Sequence, residues 1–88
     1  MTPTEAQEAQ DDAWRAGRWL MWFVSTSQPD YPGKAVAWAR VADPQGGLLV
    51  PGLLVADTLD ELRAMLPLGL MRRDRTAVMP ESVLETWD

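Results

Sequence analysis

Histidine and cysteine, the two side chains that most often carry acid–base and nucleophilic chemistry, are both absent from this 88-residue chain. The chain therefore cannot form a serine–histidine or cysteine–histidine catalytic pair, an imidazole or thiolate metal site, or a disulfide. Carboxylates, arginines, hydroxyl groups and one lysine remain. We expect no catalytic residue, no bound metal and no cofactor, and we predict that the protein is not an enzyme. The lack of cysteine also favours a cytoplasmic location.

Three carboxylates, those of Asp57, Asp60 and Glu61, fall within one turn of a predicted helix. Oxygen ligands of this kind could bind Mg²⁺ or Ca²⁺. However, Thr58 and Glu61 have the Thr-x-x-Glu spacing of a capping box, and acidic residues at a helix N-terminus stabilise its free N–H groups. We interpret the cluster as a helix cap and keep a carboxylate metal-binding domain as the weaker alternative.

The pair Gly33-Lys34 is similar to the end of a phosphate-binding loop. The first glycine of that motif is missing, and Ala35 stands where a serine or threonine would bind the metal. We do not predict a phosphate site here.

The one basic cluster in the sequence consists of Arg72, Arg73 and Arg75 around Asp74. Guanidinium groups could bind phosphate or an acidic partner through paired hydrogen bonds. The favoured interpretation is a solvated turn whose arginines pair with neighbouring acids, and partner binding is the alternative.

The net charge of −5 argues against direct nucleic-acid binding, which needs a basic surface. The acidic residues concentrate at the two ends of the chain. They are Glu5, Glu8, Asp11 and Asp12 near the N-terminus and Glu81, Glu85 and Asp88 in the last eight residues. If the two ends meet, they would form a negative surface that mimics nucleic-acid phosphate. A solvated helix is the simpler interpretation of the N-terminal group.

Tryptophan is the side chain that most strongly indicates binding in this sequence, because a chain of this length contains five. Tryptophan is enriched at the centres of protein interfaces, and we expect at least one of the five at an interface. The candidate partner-binding residues, besides the three arginines, are Trp14, Tyr31, Trp38 and Arg40. Trp38 and Arg40 share one face of a predicted strand with Val36, and core packing is the alternative role for Trp38.

The N-terminal segment, residues 1–18, is predicted to be a helix or partly disordered extension. Thr2, Pro3 and Glu5 form a helix-start pattern, and Gly17 would end the helix. Alanines at 6, 9, 13 and 16 lie on one helical face. Because alanine anchors weakly, we expect this helix to be frayed or loosely docked through Trp14.

Residues 19–88 are predicted to form a single α+β domain. Residues 19–26 and 35–42 have strand patterns, separated by a Pro- and Gly-containing loop at 28–33. A type I turn is predicted at 43–46, and two apolar runs at 48–50 and 53–55 are divided by Pro51-Gly52. Residues 19–56 are therefore predicted to be an antiparallel meander.

An amphipathic helix is predicted over residues 58–66, with Leu59, Leu62 and Leu66 on one stripe and Pro67 as its stop. A short strand is predicted at 68–72, a polar turn at 73–76 and a break at 79–81. The last residues, 82–87, are predicted to be a strand, although the Ser82-x-x-Glu85 spacing leaves a helical turn as the alternative.

The predicted fold is α+β: a small antiparallel sheet of three to five strands with the helix at about 58–66 on one face and a flanking N-terminal helix. No run of about 18 apolar residues occurs in the sequence, so we do not expect a membrane segment.

Three stretches together resemble a group of short uncharacterised bacterial and prophage proteins. They are 31–37 (Tyr-Pro-Gly-Lys-Ala-Val-Ala), 55–63 (Val-Ala-Asp-Thr-Leu-Asp-Glu-Leu-Arg) and 83–87 (Val-Leu-Glu-Thr-Trp). The resemblance covers about residues 21–88. It implies a bacterial, phage-related context and carries no activity or site residue with it.

The leading hypothesis from the sequence is a small acidic protein-interaction module that binds another protein through exposed aromatic and charged surface. A second copy of the chain, giving a homodimer, is one such partner. The alternative is a phage-type anti-defence inhibitor, similar to anti-CRISPR proteins, that blocks a nucleic-acid-binding protein by acidic mimicry or occlusion.

Overall fold

The structure, a computed structural model, describes residues 1–42, 47–74 and 82–88, and within these ranges it forms two helices and one five-stranded sheet. The α+β prediction is confirmed. In chain order the elements are α1 (Pro3–Arg15), β1 (Leu20–Ser25), β2 (Ala35–Val41), β3 (Leu54–Ala56), α2 (Leu59–Met65), β4 (Arg72–Asp74) and β5 (Glu85–Trp87). In none of these ranges does a helix have the length and apolar character needed to span a bilayer.

All neighbouring strands in the sheet are antiparallel, and the order across it is β3-β2-β1-β5-β4. The three strands of the predicted meander are adjacent, as expected. The run at 48–50 contributes only the bridge between Arg40 and Leu49, in which the Val50 N–H donates to the Ala39 carbonyl at 2.9 Å. Regular pairing resumes at β3, after Pro51, which has no N–H to donate.

One face of the sheet packs against both helices and forms the core. Along β2, small alanines alternate toward this face, which lets α2 approach the sheet closely. The buried cluster includes Trp22 and Leu54 from the sheet, Ala6 and Ala13 from α1, and Leu62 from α2. Burying a large side chain of this kind contributes roughly 1.5–3 kcal/mol.

Helix α1 begins as predicted, at a complete capping box. The Glu5 N–H donates to the Thr2 hydroxyl at 3.1 Å, and the Thr2 N–H donates to the Glu5 carboxylate at 2.9 Å. The helix docks through Ala6 and Ala13, which are buried, whereas Trp14 is 76% exposed. The expected anchoring through Trp14 is therefore wrong.

Helix α2 is also positioned as predicted. The Glu61 N–H donates to the Thr58 hydroxyl at 3.1 Å, and the backbone turns extended at Leu66, immediately before Pro67. The Leu62 side chain is fully buried and Leu66 nearly so.

The C-terminal part requires a correction. The strand predicted at 68–72 is displaced, because Leu68 and Gly69 form a turn with φ of +84° at the glycine. The strand β4 lies instead over part of the predicted polar turn at 73–76. It is an edge strand with three exposed side chains, so no hydrophobic alternation marks it.

The final strand prediction is confirmed by β5, and the alternative of a helical turn there is wrong. The turn predicted at 43–46, the break at 79–81, Arg75 and Glu81 all lie outside the described residues.

Candidate binding groove

The five tryptophans divide into three groups by exposure. Trp22 is completely buried, and its Nε1–H donates to the Gln10 side-chain carbonyl at 2.9 Å. Trp38 and Trp87 are half-buried. Trp14 and Trp19 are 76% and 57% exposed, which is unusual for the largest apolar side chain.

Both exposed tryptophans line one groove of about 280 Å³. The C-terminal half of α1 forms one wall, and the turn around Leu68 forms the other. The buried Leu20 side chain lies at the base, and Leu68 is 87% exposed at the rim. We call this feature the Trp14–Trp19 groove.

The turn after α1 determines how Trp14 and Trp19 are placed relative to each other. Gly17 has φ of +71°, a left-handed conformation that glycine adopts without steric cost. The Gly17 N–H donates to the Trp14 carbonyl at 3.1 Å, and the Arg18 N–H donates to the Ala13 carbonyl at 2.8 Å. The Trp19 carbonyl then accepts the Ala42 N–H at 2.7 Å, which extends the pairing of β1 and β2 back to Trp19.

A hydrogen bond from the Leu68 turn to a side chain of α1 connects the two walls of the groove. The Gln7 side-chain carbonyl accepts the Leu68 N–H at 2.9 Å. This bond joins two distant parts of the chain and holds the Leu68 turn next to α1. A second depression of about 210 Å³ lies next to it, between Trp14, Gly17, Arg18 and Trp19.

Three charged side chains line the groove among the described residues: Asp11, Asp88 and Arg18. Asp88 accepts a hydrogen bond from Arg73 at 2.9 Å. Asp11 accepts only the neutral Gln7 amide at 3.1 Å within the described part of the chain. Over the same residues, Arg18 forms no ion pair with a carboxylate.

The other predicted binding residues lie away from this groove. Trp38 stacks on Phe23, with ring centroids 5.9 Å apart and an angle of 16° between the planes. Both rings belong to the sheet face opposite the helices, and Arg40 is exposed on that face. Tyr31 is half-buried in the loop between β1 and β2.

Two of the three carboxylates at the start of α2 form ion pairs with basic side chains of the same chain. Asp57 pairs with Lys34, whose hydrogen bond and charge lower the pKa of Asp57. Asp60 lies 3.7 Å from Arg63. The described residues contain no group of three potential metal ligands. Lys34 therefore has a local ion pair, which differs from the phosphate role considered for Gly33-Lys34.

The two described members of the arginine cluster lie in strand β4, so the predicted turn is wrong at these residues, whereas the predicted pairing with neighbouring acids is present. Arg72 lies 3.9 Å from Asp74, and Arg73 lies 2.9 Å from Asp88. Both arginines are thus paired with acids of the same chain and have partly exposed side chains.

The predicted negative surface at the two chain ends requires a correction, because Glu85 is only 4% exposed. Arg63 donates two hydrogen bonds to its carboxylate, at 2.5 and 3.1 Å, and the Trp87 Nε1–H donates a third at 2.6 Å. This cluster joins α2 to β5. The acids of α1, by contrast, are exposed at Glu5, Glu8, Asp11 and Asp12.

The surroundings of Glu85 act on its pKa in opposite directions. Burial raises the pKa of the carboxyl group, but the hydrogen bonds from Arg63 and Trp87, with the nearby positive charge, outweigh burial and leave the pKa below its ordinary value. The same contact raises the pKa of Arg63. The cluster is therefore ionised and mutually satisfied at neutral pH.

Among the residues that line the groove, the sequence analysis singled out Trp14 and Asp11 but not Trp19, Arg18 or Leu68. One usable signal was the alanine face of α1. If Ala6 and Ala13 face the core, Trp14 is rotated by about 100° from Ala13 and must leave the core. No local pattern could show that Leu68 lies opposite, because the Gln7–Leu68 contact joins residues 61 positions apart.

Comparison with known proteins does not assign a family or a function to the chain. No protein-family profile, curated protein or solved structure matches the chain.

Proposed function

We propose that this protein is a small, non-enzymatic interaction module that binds another protein through the Trp14–Trp19 groove. The observation that carries the proposal is the exposure of two tryptophans, 76% and 57%, on one groove. Tryptophan dominates binding energy at protein interfaces because its large surface is desolvated when a partner covers it. Isolated exposed apolar side chains are common, but two indoles with Leu68 beside them make a contiguous patch.

The remaining groups in the groove are suited to recognition. Amide, indole and carboxylate groups at its walls can orient a partner by hydrogen bonds. The chain supplies no imidazole or thiol to act as a base or nucleophile. A bacterial or mobile-DNA source remains part of this proposal through the sequence resemblance alone.

The alternative is an inhibitor that blocks a nucleic-acid-binding protein by acidic mimicry. The exposed acids of α1 favour it. The burial of Glu85 and the pairing of Asp88 with Arg73 weaken it, because the C-terminal acids do not extend the negative surface. We therefore favour the aromatic groove.

The test is affinity capture from a lysate of the source organism with three immobilised proteins. These are the wild type, the double variant Trp14→Ser/Trp19→Ser, and Leu48→Ser as a control. Leu48 is 73% exposed and lies outside the groove lining, so it matches Trp14 in exposure.

The proposal expects a protein that the wild type and Leu48→Ser retain and the double variant loses. Equal capture by all three would contradict it. Capture that disappears for every bait when NaCl is raised from 0.1 to 0.5 M, and that ignores the tryptophan substitutions, would favour acidic mimicry instead.

A further inference from the structure

The charges and the apolar side chains of the Trp14–Trp19 groove together identify one partner, and this inference rests on the proposed function. We propose that the groove binds the same groove of a second copy of this chain, in a dimer with twofold symmetry. In such a dimer every contact occurs twice, so the surface must complement itself. The groove meets this requirement in its charges, in the order of its residues and in its apolar area.

The charged side chains of the groove lining balance one another among the described residues. Asp88 is compensated by Arg73 of the same chain. Asp11 and Arg18 carry opposite charges, and within the described part of the chain neither forms an ion pair. A balanced surface of this kind favours neither a cationic nor an anionic partner. It complements itself, because the Asp11 carboxylate of each copy can pair with the Arg18 guanidinium of the other.

The order of the residues along one wall fits a twofold axis close to Trp14. Asp11 precedes Trp14 by three residues on α1, and Arg18 follows Trp14 by four, after the turn at Gly17. When two copies meet in opposite directions about Trp14, each carboxylate lies opposite a guanidinium. The indoles then lie between the two charge pairs, where a partner covers their faces.

The net charge of the chain favours this patch as the place where two copies can meet. Each copy carries a charge of −5, so two copies repel each other over most of their surface. At a rise of 1.5 Å per residue, Glu8 lies about 9 Å from Trp14 along α1, and the two Glu8 residues of the dimer are about 18 Å apart along the axis. This separation is about twice the Debye length of roughly 8 Å, so their repulsion is screened.

The exposed apolar area is sufficient for a small interface. Trp14 and Trp19 are 76% and 57% exposed, which leaves roughly 300 Å² of indole surface in solvent. Leu68 and Met71 extend this surface, since the Met71 carbonyl accepts the N–H of Asp88, a residue of the groove lining, at 3.1 Å. A standard interface covers about 800 Å² on each partner. The aromatic patch therefore supplies the centre of a small interface, and the charged residues supply its rim.

The first test is sedimentation velocity of the intact wild type at concentrations from about 1 to 200 µM. We expect a monomer–dimer equilibrium with a dissociation constant on the order of 10 µM, as for interfaces at the small end of the range. Trp14→Ser/Trp19→Ser should raise this constant at least a hundredfold. Leu48→Ser, which is matched in exposure and lies outside the groove lining, should leave it unchanged.

A charge exchange tests the twofold pairing itself. Asp11→Arg leaves only like charges at the two positions, and so does Arg18→Asp, so each variant alone should dimerise at least tenfold more weakly than the wild type. An equimolar mixture of the two should recover the wild-type affinity within a few-fold, because both ion pairs are restored in the mixed dimer. As the control, Glu61→Arg makes the same charge change as Asp11→Arg outside the groove lining. It should dimerise like the wild type and should not bring Arg18→Asp into the dimer.

The outcomes separate the inference from the proposed function. A wild type that stays monomeric at about 200 µM would overturn the dimer. A dimer that persists in Trp14→Ser/Trp19→Ser would also overturn it, as would a mixture of the two charge variants that associates no better than either alone. In each case the affinity capture still decides the proposed function, because a foreign protein that the double variant loses would leave the groove as an interaction site. The inference expects the captured proteins to include the sequence of the bait.

Discussion

Two regions of this small molecule combine an indole, a carboxylate and a guanidinium, but one is a buried cluster and the other is an exposed groove. Between α2 and β5, Arg63, Glu85 and Trp87 are partly or fully buried and direct their hydrogen bonds to one another. At the end of α1, Trp14, Asp11 and Arg18 line an open groove.

The two regions differ in how many of their polar groups have hydrogen-bond partners within the protein. Two N–H groups of Arg63 and the Trp87 Nε1–H donate to the buried carboxylate, so that cluster links α2 to β5. In the groove, Asp11 receives only an amide bond within the described residues, and the indole faces are open to solvent. The same residue types therefore serve structure where they are mutually paired, and we propose that they serve binding where they are not.

The largest effect on stability should come from removing residues 1–18, which include α1 and its core contacts. A chain of residues 19–88 loses Ala6 and Ala13 from the core and the Gln10 acceptor of Trp22. We expect a loss of about 4 kcal/mol or more in the free energy of unfolding, which is comparable with the whole stability of a small domain. Urea denaturation followed by circular dichroism measures it. A truncated chain that unfolds at nearly the wild-type midpoint would instead show that residues 1–18 are a separable extension.

Breaking the buried cluster should be the next largest effect. Arg63→Ala leaves Glu85 without the two hydrogen bonds and the positive charge that Arg63 supplies, in a site that is almost inaccessible to water. We expect a loss of about 3 kcal/mol in the free energy of unfolding. The control is Arg15→Ala, which breaks the exposed pair with Asp12 and should cost at most about 1 kcal/mol.

A double variant sharpens this result. Arg63→Met with Glu85→Leu replaces both charges by apolar groups and should recover much of the lost stability. Equal destabilisation by Arg63→Ala and Arg15→Ala would contradict the structural role of the cluster.

The buried cluster should also make stability depend on pH, with a smaller effect. The pKa of Glu85 is lower in the folded protein than in the unfolded chain. Its contribution is therefore present above the pKa that Glu85 has in the unfolded chain and is lost as the pH falls through the lower folded pKa. Between pH 5 and pH 3, the wild type should lose more stability in urea titrations than Glu85→Gln does. Parallel losses in both proteins would show that other carboxyl groups control the acid sensitivity.

The smallest effect on stability is expected in the groove itself. Trp14→Ser and Trp19→Ser remove side chains that are largely in solvent, so each should change the free energy of unfolding by about 0.5 kcal/mol or less. Iodide should quench the fluorescence of the wild type strongly, and the double variant should lose most of the quenchable part. A double variant with unchanged quenching would contradict the exposure of these indoles.

The local features of the fold were predictable because their causes are local. Thr2 and Thr58 each precede a glutamate by three residues, and both helices begin where those caps require. The alternation along β2 identified which face carries the alanines. Such patterns depend on residues a few positions apart, which a sequence displays directly.

The features that sequence reasoning missed depend on distant contacts. Arg63 and Glu85 are 22 positions apart, and nothing in the final apolar segment indicates that its one glutamate is buried. The strand β4 exists because β5 supplies its hydrogen-bond partners, and its own residues carry no strand pattern. The groove likewise required the fold to place the Leu68 turn opposite α1.

One measurement tests the central claim most directly: unfolding in urea and binding of the captured protein, determined on the same preparation of Trp14→Ser/Trp19→Ser. The account predicts an unfolding free energy within about 1 kcal/mol of the wild type together with at least a hundredfold loss of affinity. A variant that is equally stable and binds the protein with wild-type affinity would contradict it.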